Sequence, residues 1–149
     1  MTQQISRHDP RLAAWSAFLR AHARVVRELE RELQAEQRMA LTDYDVLVQL
    51  ANADDRRLRM SELADRLLLS RSGATRLVDR LVAQGMVERV MCDVDRRGQW
   101  ASLTDAGYER LRQASPTHLR GVAEHFLDRL SPDELAALER AFARIDDEA

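Results

Sequence analysis

The sequence predicts a mainly α-helical fold carrying a small β-hairpin, and three observations lead there. Leu and Ala contribute 21 residues each, whereas Gly contributes 5 and Pro 3, so helix formers dominate and helix breakers are scarce. Residues 11 to 72 contain neither Gly nor Pro. Beyond them, only two segments, 86–91 and 99–103, alternate apolar and polar residues at period two. An all-β sandwich is excluded. The 149 residues suit one domain, or a small module with a helical extension, and 45% hydrophobic with 32% charged residues is a globular balance. A single cysteine, Cys92, excludes an intramolecular disulfide framework and a Cys-rich zinc site. No apolar run approaches the ~18 residues of a membrane span. The first residues, MTQQISRHDPR, lack an apolar h-region, so a cytoplasmic protein without a membrane partner is expected.

Pro10 suits a first helical position. After it, Leu12, Trp15, Leu19, His22, Val26, Leu29 and Leu33 recur at steps of three and four. That narrow heptad seam needs a partner helix. Thr42 has the character of an N-cap, with Asp43 and Asp45 in the first turn of a short helix carrying Tyr44, Val46, Leu47 and Leu50 to about Ala53. A polar loop, 52–57, follows. Arg57-Leu58-Arg59-Met60 alternates like a strand, and Ser61 then caps a helix with Leu63, Ala64, Leu67 and Leu68. After a turn at Leu69-Ser70, a second helix starts near Arg71 or Ser72, buries Ala74, Leu77, Val78 and Leu81, and ends at Gly85. Residues 86–91 and 99–103 make a hairpin around the charged loop 92–98. Thr104 caps the next helix, which Ser115-Pro116 should kink or restart before it runs on to Leu130. Ser131-Pro132-Asp133-Glu134 opens a last helix with the seam Leu135, Leu138, Phe142 and Ile145.

Strand, helix, turn, helix, hairpin is the order of a winged helix-turn-helix, here residues 41–104. It lies between a helical region made from 10–40 and 105–149. Such a module lays its second helix in the DNA major groove and reaches the minor groove with its hairpin. The exposed face of the second helix offers Arg71, Ser72, Thr75, Arg76 and Arg80, and the small Gly73 and Ala74 allow a close backbone approach. At the hairpin tip, Arg96 and Arg97 sit beside Asp93 and Asp95, where a carboxylate can orient a guanidinium. All 23 basic residues are Arg and none is Lys; codon bias explains the choice, yet every cation is a planar fork suited to phosphate and guanine. The net charge of −2 conceals an asymmetry: residues 56–98 hold 10 Arg against 6 acids, and the remainder 13 Arg against 19 acids.

The run Leu81-Val82-Ala83-Gln84-Gly85-Met86-Val87-Glu88-Arg89, then Asp95-Arg96-Arg97-Gly98, then Ser102-Leu103-Thr104-Asp105-Ala106-Gly107 resembles the MarR family of bacterial transcriptional regulators, with Met86 in place of the usual Leu. The resemblance extends over nearly the whole chain. It implies a homodimer whose first and last two helices interdigitate as the dimerisation region, and a mostly repressive action on pseudo-palindromic, double-stranded operator DNA. By position it makes Ser70, Arg71, Ser72, Thr75 and Arg76 recognition-helix contacts and Asp95 with Arg97 the wing pair, Arg97 entering the minor groove.

Many members of that family release DNA when a small aromatic or phenolic effector enters a cleft beside the dimerisation helices. Trp15, His22, Tyr44 and His118 supply a stacking wall and donors for such a ligand, although Trp15 and His22 equally suit core or dimer packing. His118 and His125 share a helical face, but no third ligand follows from spacing, so no metal and no cofactor is expected. Cys92, beside Asp93, reads as structural rather than as a redox switch. An enzyme is not expected: there is no Gly-rich phosphate loop, nucleophile motif or metal-ligand cluster. Two other readings remain. A winged-helix protein-interaction module would not need Arg on its reading face, and a sequence-independent architectural DNA binder would be expected to carry net positive charge.

Overall fold

A computed structural model describes residues 5–91 and 98–146. Among them the elements run α1 (Leu12–Gln37), α2 (Leu41–Ala51), β1 (Arg57–Arg59), α3 (Met60–Arg66), α4 (Arg71–Ala83), β2 (Val87–Met91), β3 (Gln99–Leu103), α5 (Asp105–His125) and α6 (Pro132–Asp146). This is the mainly α fold with a small sheet that the sequence predicts. Pro10 stands in a turn two residues before α1. The chain forms two units: a central one, Glu32–His118, and a terminal one, Met1–Arg31 with Leu119–Ala149.

In the central unit the sheet is antiparallel throughout, in the order β1-β3-β2. Leu58 pairs with Ala101, Arg59 with Trp100, and Val87 with Leu103. Alternation sends Leu58, Val87, Ala101 and Leu103 inward, where they are buried in a core shared with Leu47, Leu50, Leu63, Val78 and Leu81. Arg57 and Arg59 are left exposed. The end of α1 is tied to α5 by polar contacts. Gln37 Nε2 donates to Thr117 Oγ1 at 3.0 Å, and Arg110 donates to the carbonyl and side-chain oxygens of Gln37.

Four local expectations differ from the structure. Thr42 is not a cap: α2 starts one residue earlier, at Leu41, with Ala40 as its N-cap. Ser61 likewise lies inside α3, capped at Arg59 without a side-chain bond. Leu68 is not core but 92% exposed, with φ at 54°. It occupies the left-handed position after α3, where the Leu68 and Leu69 N–H groups bond Asp65 O and Ala64 O, a place usually taken by Gly. Pro116 does not restart α5, which runs unbroken through it. The missing N–H falls opposite the Arg112 carbonyl, while Ala114 and Thr117 on either side are buried and the Ser115 hydroxyl donates to the Leu111 carbonyl at 2.8 Å. The α-helix then ends at His125 rather than Leu130, with a 3-10 turn at Leu127–Arg129.

A tight knot joins α4 to α5. Gly85, φ 75°, ends α4 in a Schellman turn, its N–H bonded to Val82 O and the Met86 N–H to Leu81 O, each at 3.0 Å. Thr104 Oγ1 donates to Gly85 O at 2.7 Å and accepts from the Gly107 N–H at 3.0 Å, capping α5 on that same turn. The Thr104 N–H bonds Met86 O at 3.1 Å. Gly107 packs directly on this backbone: a Cβ there would overlap the Met86 carbonyl oxygen and stand 2.8 Å from Leu103 Cδ1.

In the terminal unit, α6 opens on a reciprocal capping box. The Ser131 N–H donates to Glu134 Oε2 at 2.8 Å and the Glu134 N–H to Ser131 Oγ at 3.3 Å. These bonds to the carboxylate hold the Glu134 pKa below its ordinary value. No residue of α6 is buried. Phe18 packs at 5.6 Å from Phe142 and 6.0 Å from both Trp15 and His22. Nine of the thirteen large apolar side chains left exposed among the described residues belong to this unit, including Trp15, Leu19, Leu119 and Ile145.

Gly107→Ala is expected to destabilise the protein by about 1–3 kcal/mol, the cost of overpacking, although Ala is the better helix former by roughly 1 kcal/mol. Urea unfolding checks the sign: a stabilised variant would show that the close approach to Met86 is not strict.

Candidate nucleic-acid interface

α4 is held by what it buries and by both of its ends. Ala74, Leu77, Val78 and Leu81 face the core. Ser70 Oγ accepts the Gly73 N–H at 3.0 Å as a true N-cap and lies 3.2 Å from Ser72 Oγ. The opposite face is solvent-exposed and carries Arg71, Ser72, Thr75 and Arg76. Spacings of four put Arg71 above Thr75 and Ser72 above Arg76, two parallel rows on one helical surface. Arg71 and Arg76 make no hydrogen bond or ion pair with another described residue, so both guanidinium forks are available to a ligand.

Arg80 is placed differently. Its Nη2 donates to Asp43 Oδ1 of α2, a carboxylate whose side chain is only 10% exposed while that of Arg80 is 50% exposed. Next to it, Asp79 pairs with Arg89 of β2 at 2.8 Å, and Arg89 Nη1 donates to Gln99 Oε1 of β3 at 2.6 Å. α4 is thereby tied to α2 on one side and to the hairpin on the other. Arg80 thus gives one of its five donors to holding the helix. Asp95, Arg96 and Arg97 lie outside the described residues.

The sheet adds residues that the sequence reading did not single out. A groove of about 480 Å³ is lined by Arg59, Met60 and Ser61, by Arg71 and Thr75 of α4, and by Gly98 and Gln99. The Arg59 and Arg57 guanidinium carbons stand 5.3 Å and 5.2 Å from the Trp100 ring centre, and that of Arg56 is 3.8 Å from the Tyr108 ring centre. The alternation Arg57-Leu58-Arg59 was the available signal. It marks two outward cations, but only the register shows that Trp100 stands opposite Arg59.

Of the residues expected to meet an effector, Tyr44 and His118 come together in the central unit. Their ring centres are 4.3 Å apart at an interplanar angle of 32°, and Tyr44 Oη donates to Ser115 Oγ at 3.3 Å. His118 Nδ1 is buried with no hydrogen-bond partner among the described residues, and burial lowers the imidazole pKa. Trp15 and His22 belong to the terminal unit, around Phe18.

Comparison with known proteins gives a consistent answer. The MarR family profile matches residues 39–98. The chain is 37% identical over 75 residues to the transcriptional repressor MprA of Escherichia coli K12, a stretch covering 50% of this chain and 43% of that protein. The match thus spans less than half the length of that curated relative. Among solved structures, AbsC, a MarR family transcriptional regulator from Streptomyces coelicolor, superposes with a TM-score of 0.89 at 32% identity, over 97% of each chain. Sco3205, a MarR family transcriptional regulator from the same organism solved in complex with DNA, gives a TM-score of 0.91 at 34% identity, over 99% of this chain and 92% of the other.

Arg80→Ala leaves the Asp43 carboxylate without that partner in a nearly buried position. A fully buried pair loses about 3–5 kcal/mol when broken and an exposed one about 0–1 kcal/mol. With one partner half exposed, a loss of about 1–2 kcal/mol in chemical denaturation is expected. An unchanged denaturation midpoint would show that Arg80 does not anchor α4.

Proposed function

The chain belongs to the MarR family of transcriptional regulators, and from that premise we propose that it is a sequence-specific repressor acting as a homodimer on pseudo-palindromic operator DNA. The observation that carries this reading is the exposed face of α4: Arg71, Ser72, Thr75 and Arg76 are presented on a helix whose other face, cap and flanking ion pairs are fixed. Planar guanidinium forks on a rigid helix suit bidentate recognition of guanine O6 and N7. Sco3205, similar over nearly its whole length, forms a complex with DNA, which supports the same partner for this chain. The architectural alternative lacks the overall positive charge that non-specific binding draws on, since the net charge is −2.

The dimer reading rests on the terminal unit. No residue of α6 is fully buried within one chain, and Trp15, Leu19, Phe142 and Ile145 stay exposed. A two-fold assembly through these helices gives them a partner surface. For the effector we place a small aromatic or phenolic acid against Tyr44 and His118, where the unpaired Nδ1 and the phenol offer one polar contact each beside a stacking surface.

Binding to inverted half-sites about one helical turn apart is expected, falling steeply with salt. Arg76→Ala should cost about 1–3 kcal/mol on a selected operator and relax its sequence preference. Titration against selected and scrambled duplexes checks this, and equal affinity for the two in the wild type would leave the architectural reading. Leu19→Asp should weaken the dimer, because it puts an unpaired carboxylate into the seam. Sedimentation of the wild type as a monomer at micromolar concentration would remove the dimer.

A further inference from the structure

Within the terminal unit, residues of α1, α5 and α6 enclose a pocket of about 480 Å³. It exists because α5 stops at His125. The chain then makes its 3-10 turn at Leu127–Arg129, passes Leu130 in extended geometry and re-enters helix at Pro132. The gap left beside α1 is walled by Ala21 and Val25 of α1, Phe126 and Leu130 of the connection, and Leu138 of α6. Two guanidinium groups stand among these apolar side chains. Arg129 is positioned by the end of α5, where its Nε donates to Glu124 O at 3.0 Å, and its Nη groups make no hydrogen bond or ion pair with another described residue. Arg24 of α1 makes none at all with the described residues. The one carboxylate among the described lining residues, Glu28, is engaged by Arg31 at 2.8 Å. The hydrogen bond from Arg31, and then the charges of Arg31, His125 and Arg24, hold the Glu28 pKa below its ordinary value, so the local potential is positive even beside this acid.

We infer that this pocket binds a medium-chain aliphatic carboxylate, its chain against Val25, Phe126, Leu130 and Leu138 and its head group between Arg24 and Arg129. The apolar wall takes the chain, and a planar carboxylate matches a guanidinium fork. The wall also separates this ligand from the aromatic effector placed against Tyr44 and His118. Four aliphatic side chains and one ring offer contact area but no stacked pair of rings. The two sites share no residue, so the inference stands apart from both the effector reading and the DNA reading. A bound carboxylate joins α1 to the connection between α5 and α6, and so braces the helices that carry the exposed Trp15, Leu19 and Phe142. The competing occupant is a side chain from a second copy of the chain, for which two cations at the wall have no use.

Octanoate is titrated calorimetrically into the full chain, with 1-octanol as the uncharged probe of equal length, and sedimentation is run with and without octanoate. Binding of one octanoate per chain is expected, with the state of assembly unchanged. Octanol should bind about tenfold more weakly, because it forgoes the charge-assisted hydrogen bonds. Arg24→Ala and Arg129→Ala should each weaken octanoate about tenfold, the loss of one such bond. Arg24→Lys, which keeps the charge, should recover most of that affinity, and this rescue separates contact from misfolding. Ala21→Leu fills the pocket with both cations in place and should also weaken binding. Equal affinity for octanoate and octanol in the wild type overturns the inference, and so does wild-type affinity in both alanine variants at the Arg positions. A His118→Gln protein that loses octanoate puts the carboxylate against Tyr44 instead. Octanoate that splits an assembled wild type, or that binds only the monomer, identifies a second copy as the occupant. No binding at millimolar octanoate also overturns it.

Discussion

The arrangement of the central unit depends on one backbone approach, that of Gly107 to the carbonyl of Met86. Because no side chain intervenes, the first turn of α5 sits directly on the turn that ends α4, and Thr104 bonds both sides at once. The orientation of α4 is therefore set by hydrogen bonds of fixed length rather than by apolar packing alone, which tolerates sliding. Everything that α4 presents inherits this precision. A helix rotated by one residue would turn Arg71 and Arg76 by about 100° away from a common surface.

Charge is distributed in two roles. Along α4 and the sheet, Arg80 and Arg89 are spent internally, on Asp43 and on Asp79 with Gln99, and hold neighbouring elements together. Arg71 and Arg76 face solvent. A sequence with nearly balanced charge can in this way support a localised cationic surface. Asp43 and Asp79 stand beside the structural Arg80 and Arg89, and outside residues 56–98 acids outnumber Arg by 19 to 13.

Much of this was legible from the residues. The period of the apolar positions located α4 almost to the residue, the alternation located all three strands, and Ser131 with Glu134 announced the start of α6. The Leu-Thr-Xaa-Xaa-Gly run was recognisable as a pattern, but its meaning was not: nothing in the sequence says that Gly107 lies against Met86, some twenty positions earlier. The caps at Thr42 and Ser61 failed because a hydroxyl residue near a helix start satisfies a capping rule that the backbone did not use. Leu68 failed because apolar character predicts burial, whereas the turn after α3 needed a left-handed residue there whatever its side chain. The Arg59–Trp100 contact depends on strand register, and Arg80 on a partner 37 positions away in α2; both are tertiary facts.

The guanidinium character of the cations in the groove and on α4 has a consequence for regulation. With no Lys in the chain, there is no side-chain amine on this surface for an acetyltransferase to modify. Arg also keeps its proton throughout the range in which a cell's interior varies. The anion-facing surface of this protein therefore has a charge that neither acylation nor acidity adjusts. Occupancy of its partner is left to concentration, to ionic strength and to changes in the geometry of the helix that bears the charge.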